Sequence, residues 1–177
     1  PHGVNRIFKE TKRKELWPNN GNPIKCIYVS NIDLYKHQWN VIKAVSLLRK
    51  KGFLIELILV GGGPGSRSNK SVQLLKETIR TYDPKMVFVR LVGEVCNDKL
   101  PELISECHLF VFASSCENMP NTLLEGMAVG MPIACSNRGP MPEILKDGGI
   151  YFDPEDYRSI GEALEKLIVE NQQFREK

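Results

Sequence analysis

The stretch that decides the fold runs from 109 to 136 and reads LFVFASSCENMPNTLLEGMAVGMPIACS. Its first five residues, LFVFA, are apolar without interruption, which is typical of a strand covered on both faces. A polar loop follows, and then the helical segment NTLLEGMAV, closed by Gly130 and Pro132, and a second apolar run at 133–136. A strand, a helix and a strand in this order indicate a parallel βαβ unit.

The same alternation extends along the chain in both directions. Apolar, β-branched runs predict further strands at 24–30, 53–60 and 86–92. Near the C-terminus we predict a helix that is capped by Asp153 and has Pro154 in its first position. Its buried stripe would be Ile160, Leu164, Leu167 and Ile168. The fold class we expect is α/β, a Rossmann-like parallel sheet with helices on both faces, over residues 24–177.

Composition and charge narrow the function classes. The 177 residues suffice for one domain with a sizeable core, and the net charge of +3 is too small to favour a nucleic-acid partner. The five cysteines form no CxxC pair and are odd in number, which indicates reduced thiols in a cytoplasmic protein. Residues 1–23 are polar, with no apolar segment typical of a signal peptide, and we interpret them as a linker.

Parallel sheets of this kind bind ligands beyond the carboxyl ends of their strands. The candidate loops are therefore 30–37, 61–70, 93–98, 114–121 and 136–141. In the first loop, Lys36 is either a solvated lysine or a point charge for a phosphate. GGGPG at 61–65 is similar to a phosphate loop but matches neither common template, so we favour a flexible strand-to-helix turn over a phosphate loop. The histidines and cysteines lack metal-ligand spacing, and we expect no metal.

Two carboxylates, Glu117 and Glu125, lie eight residues apart in the deciding stretch. Glu117 follows a predicted strand directly, at the crevice rim or on the surface. Glu125 completes a capping-box pattern with Thr122, yet the small residues beside it would also leave room for a ligand. The N-terminus of this helix offers N–H groups and a positive dipole end to an anion. Two acids and an anion site suit a ligand with both hydroxyls and phosphates.

The segment SSCENMPNTLLEGMAVGMP at 114–132 resembles the signature of the retaining GT-B glycosyltransferases of family 4 (group 1), with Glu-x7-Glu followed by Ala-x-Gly-x-Pro. IYVSNIDLYKHQ is similar to that family's Val-Gly-Arg-Leu-x-x-x-Lys-Gly loop. Other matches in the same order are PHGVNRIF, LILVGGGP, LVGEV, NRGPMPEIL and YFDPED. The resemblance covers nearly the whole chain. It implies the C-terminal half of a GT-B fold, with 1–23 as the interdomain linker and the N-terminal acceptor domain absent from this chain.

The resemblance also implies roles for particular residues. Glu117 would contact the donor sugar near the reaction centre as the catalytic residue, and Glu125 would bind the ribose hydroxyls. Lys36 and the backbone N–H groups of Asn121 and Thr122 would hold the diphosphate, and the nucleobase would lie against Gly93, Glu94 and Val95. The implied reaction transfers a hexose from a nucleotide-diphosphate sugar to a saccharide or lipid-linked glycan, without a cofactor or metal. Peripheral association of the full-length protein with the inner membrane face stays open.

Two departures from the family pattern concern the diphosphate. The family's arginine, five residues before the lysine, is Asn31 here, so a positive charge is missing unless Arg138 or Arg67 replaces it. The family's Gly-Phe-Gly is Asn118-Met119-Pro120, and Pro120 has no N–H to donate. Two alternatives therefore stay open, a GT-B-like nucleotide-sugar epimerase and a degenerate nucleotide-binding module without catalysis.

Overall fold

The computed structural model describes residues 4–14, 17–18, 21–62 and 69–173. The strands are β1 (Ile24–Val29), β2 (Ile55–Val60), β3 (Val89–Gly93), β4 (Leu109–Phe112), β5 (Ile133–Ser136) and β6 (Gly149–Phe152). The α-helices are α1 (Arg6–Glu10), α2 (Gln38–Lys50), α3 (Asn69–Tyr82), α4 (Leu100–Ser105), α5 (Asn121–Val129), α6 (Met141–Leu145) and α7 (Tyr157–Gln173). One turn of 3-10 helix, Leu34–Lys36, lies between β1 and α2.

Within the described ranges the strands form one six-stranded parallel sheet in the order β3-β2-β1-β4-β5-β6. The chain winds outward from β1 to β3 and then returns to the other side of β1 with β4. The carboxyl ends of β1 and β4 therefore form the switch point at which doubly wound sheets bind ligands. The predicted α/β, Rossmann-like fold class is confirmed.

The helices form two groups of contacting neighbours. α2 contacts α3 and α7, whereas α5 contacts α1 and α4. The four residues of β4 lie between these layers and are 0% exposed, as the uninterrupted apolar run LFVFA predicts. All five cysteines are free thiols.

Close packing of α5 on β4 explains the small residues of the GMAVG segment. A Cβ placed on Gly126 would lie 3.1 Å from the ring of Phe110, which is tighter than most side-chain contacts. Glycine at this position lets the helix approach the strand closely. The approach fixes the N-terminus of α5 beside the loop that follows β4.

The segment predicted as a linker packs against the domain in the part that is described. It contains α1, and the side chains of Phe8 and Trp17 are only 1% and 8% exposed. The N–H of Arg13 donates to the carbonyl of Val129 at 3.2 Å, and that of Lys14 donates to Ser105 at 3.2 Å. Two large apolar side chains in an otherwise polar stretch anchor it to the core. Whether it joins two domains stays a prediction.

The third strand begins later than predicted, at Val89 instead of Met86. Met86 has a left-handed backbone (φ 52°), which an extended strand cannot accommodate. The buried carboxylate of Asp83 accepts hydrogen bonds from three consecutive backbone N–H groups, those of Val87 (2.7 Å), Phe88 (2.9 Å) and Val89 (2.7 Å). The N–H groups of Val87 and Phe88 are thus held by a side chain before the strand starts, and that of Val89 is held at its first residue.

The last helix also begins later than predicted. Its capping side chain is Asp156, whose Oδ1 accepts from the N–H of Arg158 at 2.9 Å, and not Asp153. Asp153 instead accepts from the N–H of Glu155 at 3.0 Å, in a turn that precedes the helix. Asp153 and Asp156 are both possible capping residues in the sequence. Asp156 directly precedes the first helical residue, and it is the one whose side chain caps the helix. The predicted buried stripe of this helix is confirmed, with each member at most 6% exposed.

Candidate functional site

A cleft of about 430 Å³ opens at the carboxyl ends of β1 and β4. Its lining comes from the residues that follow β1, β2, β3 and β4 and from the first turns of α5. The predicted site residues that line it are Asn31, Lys36, Glu94, Val95, Glu117, Met119, Asn121, Thr122 and Glu125. The sheet thus brings together residues from four loops, as the rule for parallel sheets predicts.

Some lining residues were not singled out from the sequence. Tyr35, Asn97 and Phe112 also line the cleft. Tyr35 and Asn97 fall within the predicted ligand loops 30–37 and 93–98, so their position in those loops is the signal that could have identified them. Phe112 ends β4, and a buried strand residue gives no such signal.

Lys36 and Glu117 form an ion pair inside the cleft. The Nζ of Lys36 donates to Oε1 of Glu117, and the two side chains are 12% and 14% exposed. The ammonium also lies 5.1 Å from the ring centroid of Tyr35 and 5.7 Å from that of Phe112, within cation–π range. The one lysine in the described lining is therefore already paired with a carboxylate and lies beside two aromatic rings.

The backbone around Lys36 is fixed by two further hydrogen bonds. The phenol of Tyr28, 1% exposed, donates to the carbonyl of Lys36 at 2.7 Å. The N–H of Ser115 donates to the carbonyl of Tyr35 at 2.8 Å. The loop after β1 and the loop after β4 are thus held side by side, which brings the lysine and the glutamate together.

The structure rules out one of the two interpretations of Glu125, the capping box. The residue that precedes α5 is Pro120, and no side chain caps this helix. Thr122 is the second helical residue, so the capping box is ruled out. The Oε2 atom of Glu125 is buried without a hydrogen-bond partner in the described structure, and burial raises the pKa of this carboxyl. A buried acceptor without a partner beside an open cleft is suited to accept ligand hydroxyls.

The N-terminus of α5 contributes less to anion binding than a standard helix end. Pro120 has no N–H, and the N–H of Asn121 donates to the carbonyl of Met119 at 2.9 Å. The N–H of Asn121 must therefore break its bond to the carbonyl of Met119 before it can donate to a phosphate oxygen. The positive end of the helix dipole still points toward the cleft, since Asn121 and Thr122 line it.

Gly61 brings three strand ends close together at the cleft. Its N–H donates to the carbonyl of Gly93 at 2.7 Å, and its φ is 111°. A Cβ on Gly61 would lie 2.3 Å from the carbonyl oxygen of Ser30, so only glycine fits there. Of the GGGPG motif, positions 61 and 62 are described, and positions 63–65 lie outside the described residues.

Three predicted site residues do not line the cleft. Gly93 is bonded through its carbonyl to the N–H of Gly61 and is not part of the described lining, and Asn118 is exposed in the loop after β4. The guanidinium of Arg138 lies 3.1 Å from a carboxylate oxygen of Asp153 and 3.6 Å from one of Glu155. Arg138 is thus paired on the surface, away from the position where it would replace the missing arginine. Arg67, the other candidate, lies outside the described residues.

The described lining carries an excess of negative charge, with Lys36 against Glu94, Glu117 and Glu125. No group of three or more His, Cys, Asp or Glu side chains in the described ranges is placed to hold a metal ion. Among the described helices, none has the length and apolar character needed to cross a bilayer.

Several solved structures share this fold. Anabaena HepE, solved with UDP-glucose, superposes with a TM-score of 0.75 at 21% identity, over 85% of this chain and 40% of that one. A glycosyltransferase from Rickettsia africae gives a TM-score of 0.76 at 19% identity, over 94% and 45% of the two chains. The sheet and its flanking helices have the Rossmann-like architecture found in GT-B glycosyltransferases.

Residues 8–177 match the family model of the glycosyl transferases group 1, and the chain belongs to this family. It is 27% identical over 135 residues to the O-antigen chain mannosyltransferase B of Escherichia coli, covering 76% of this chain. It is 25% identical over 130 residues to the amylovoran biosynthesis glycosyltransferase AmsK of Erwinia amylovora, covering 70%. The chain spans about a third of the length of these relatives, 34% and 30%.

Proposed function

We propose that this chain binds the nucleotide-diphosphate-sugar donor of a retaining hexosyltransferase. The observation that carries the proposal is the cleft at the switch point, which presents the Lys36–Glu117 pair together with the unpartnered carboxylate of Glu125. Carboxylates accept hydrogen bonds from sugar hydroxyls, and an ammonium neutralises a phosphate. A nucleotide sugar offers both kinds of group in one ligand.

Each part of the donor has a complementary group in the cleft. Glu125 accepts from the ribose hydroxyls, and Lys36 binds the diphosphate together with the N-terminus of α5. The base lies against Glu94 and Val95, which line the cleft after β3. Glu117 faces the hexose, where its carboxylate stabilises the positive charge that develops at the reacting carbon. On this proposal the diphosphate is held by Lys36 and the helix end after Lys36 is released from Glu117, without a metal ion.

The relatives support the class of substrate. One acts on O-antigen chains, another serves amylovoran biosynthesis, and HepE is described with UDP-glucose. We therefore propose that the acceptor is a saccharide or a lipid-linked glycan in polysaccharide biosynthesis. We place the complete enzyme in the cytoplasm, with peripheral association at the inner membrane face.

We further propose that a second domain, N-terminal to this one, binds the acceptor. The relatives are about three times as long as this chain, and the cleft is open at the carboxyl ends of β1 and β4. Reaction in a cleft closed between two domains excludes water and positions the acceptor. On this proposal the chain alone binds the donor but transfers no sugar.

A thermal-shift screen with UDP-, GDP- and ADP-hexoses tests donor binding. A ligand at 100 times its dissociation constant adds about 2.7 kcal/mol of stability, which is a measurable shift. Lys36→Gln is the matched variant, because it removes the phosphate contact and keeps a side chain of similar length. If no nucleotide sugar shifts the melting temperature, the chain is a degenerate module and the proposal is wrong. Conversion of the donor hexose to another configuration would instead indicate the epimerase alternative.

A further inference from the structure

His37 has an unusual backbone conformation directly after Lys36. It lies between the 3-10 turn and α2, with φ 51° and ψ 32° in the left-handed region. This region favours glycine, and the loop that this segment resembles has glycine after its lysine. Histidine at this position therefore introduces a side chain where a glycine would have none.

The side chain of His37 is directed toward the loop that follows β4. It is 9% exposed, and its Nε2 lies 2.8 Å from Oγ of Ser115, within hydrogen-bonding distance. The N–H of the same serine donates to the carbonyl of Tyr35 at 2.8 Å. Ser115 is thus bonded to the residues on both sides of Lys36, and it lies two positions before Glu117.

The Lys36–Glu117 pair connects the same two loops, but donor binding competes with it. A diphosphate that takes the ammonium of Lys36 removes its direct bond to Glu117. The contacts of Ser115 with His37 and Tyr35 then remain to keep the two loops in register. Burial lowers the pKa of His37, against the opposing effect of Glu155 and Asp153, so its bond to Ser115 joins neutral partners.

We propose that His37, acting through Ser115, is a positioning residue that holds the Lys36 loop against the Glu117 loop when a donor diphosphate displaces Glu117 from Lys36. The proposal rests on the proposed function, since it requires a diphosphate in the cleft. It assigns to His37 no contact with the donor. Its effect reaches the ligand only through the placement of Lys36.

Calorimetric titration of the chain with UDP and GDP tests this role. His37→Gly suits the left-handed backbone, and Ser115→Ala removes only the hydroxyl oxygen. Loss of one neutral hydrogen bond predicts about two- to tenfold weaker binding of the diphosphate in each single variant. Both variants break the bond between His37 and Ser115, and Ser115→Ala also removes the longer contact (3.4 Å) of the serine Oγ with the carbonyl of Tyr35. The double variant should therefore bind no more weakly than Ser115→Ala alone. Ser105→Ala is the matched control, a buried serine of α4 bonded to the carbonyl of Glu102, and it should leave affinity unchanged.

The Lys36→Ala background separates positioning from a general effect on stability. There His37→Gly should change the affinity less than twofold, measured by ligand-detected NMR because binding is weak. Equal losses with and without Lys36, or full affinity in both single variants, would overturn the proposal. If the wild-type chain binds neither UDP nor GDP, ADP is titrated in the same way, and if ADP also fails to bind, the proposed function fails first and this proposal with it. Wild-type binding with unaffected variants overturns only the role of His37.

Discussion

The ammonium of Lys36 is paired with the carboxylate of Glu117, and both side chains are largely shielded from water. The two residues were assigned to different parts of a donor, the diphosphate and the sugar. In the structure the two side chains are paired with each other instead. A diphosphate must therefore compete with Glu117 for its cation, and this competition lowers the affinity of the cleft for a bare nucleoside diphosphate.

Glu117→Gln should tighten the binding of a nucleoside diphosphate, because Lys36 is then no longer neutralised. The two side chains are still 12% and 14% exposed at the cleft, so we take the pair as worth about 1 kcal/mol, which corresponds to a gain of about fivefold. The nucleotide sugar should gain less, since the variant also loses the contact to the hexose. Parallel titrations with UDP and UDP-hexose, or with the GDP pair, measure the difference. Equal affinity changes for both ligands would contradict the assignment of Glu117 to the sugar.

Glu125→Gln should weaken nucleoside diphosphate and nucleotide sugar alike, because the ribose is common to both. A hydrogen bond to a charged group is worth about 1.5–3 kcal/mol, or roughly 10- to 150-fold in affinity. Calorimetry with each ligand measures the loss. An unchanged affinity would mean that the buried carboxylate does not contact the ribose.

Glu125→Gln should also stabilise the ligand-free protein at pH 7. Burial raises the pKa of Glu125 in the folded protein above its ordinary value of 4.5. At a pH between 4.5 and this raised pKa, the folded state binds more protons than the unfolded state. Stability therefore falls as the pH rises through that interval, and Gln removes this loss. Relief of about 1 kcal/mol would raise the melting temperature by about 2–4 °C. Glu162→Gln, a change of an exposed acid on α7, is the control and should leave the melting temperature at pH 7 unchanged.

Asn31→Arg should strengthen diphosphate binding. Asn31 lines the cleft at the position where the family pattern has arginine. The side chain of Gln38 donates to the backbone carbonyl of Asn31 at 2.7 Å, and this bond does not involve the side chain that is changed. A charge-assisted bond to a phosphate predicts a gain of about tenfold. Asn31→Gln lengthens the side chain without charge and serves as the control. If Asn31→Gln also binds the diphosphate more tightly, and the gain in affinity is unchanged at high salt, the electrostatic explanation is wrong.

Donor binding should not require a metal ion. Lys36 and the positive end of α5 provide the potential that holds the diphosphate. Titrations with EDTA should therefore give the same dissociation constant, within about twofold, as titrations with Mg²⁺ or Mn²⁺. Binding that disappears in EDTA would contradict the proposed phosphate site.

The 177-residue chain should transfer no hexose to any acceptor, although it binds the donor. Incubation with a radiolabelled nucleotide sugar and candidate glycans, followed by product separation, measures transfer. Fusion to an acceptor domain from the same protein should restore turnover. Transfer by the chain alone would show that the second domain is dispensable.

Much of the fold could be predicted from local sequence patterns. The helix at 121–129 and the strand at 133–136 begin and end where predicted, because Gly130 takes the left-handed position that ends the helix. The starts of β3 and α7 were predicted too early, since Asp83 and Asp156 bind backbone N–H groups that the apolar pattern alone assigns to the elements. Side-chain capping of this kind depends on local geometry that hydrophobic periodicity does not describe.

The sequence by itself determined which residues gather at the carboxyl edge of the sheet, because strand order and right-handed crossovers leave few alternatives. Only the tertiary structure decided their partners. Lys36 and Glu117 are 81 residues apart, and they meet because β1 and β4 are neighbours and Ser115 joins their loops. The Oε2 atom of Glu125 is buried without a hydrogen-bond partner among the described residues, whereas Arg138 forms an ion pair with Asp153 at the surface. Charge pairing depends on distance and on the exclusion of water, and both are fixed only when the loops are packed.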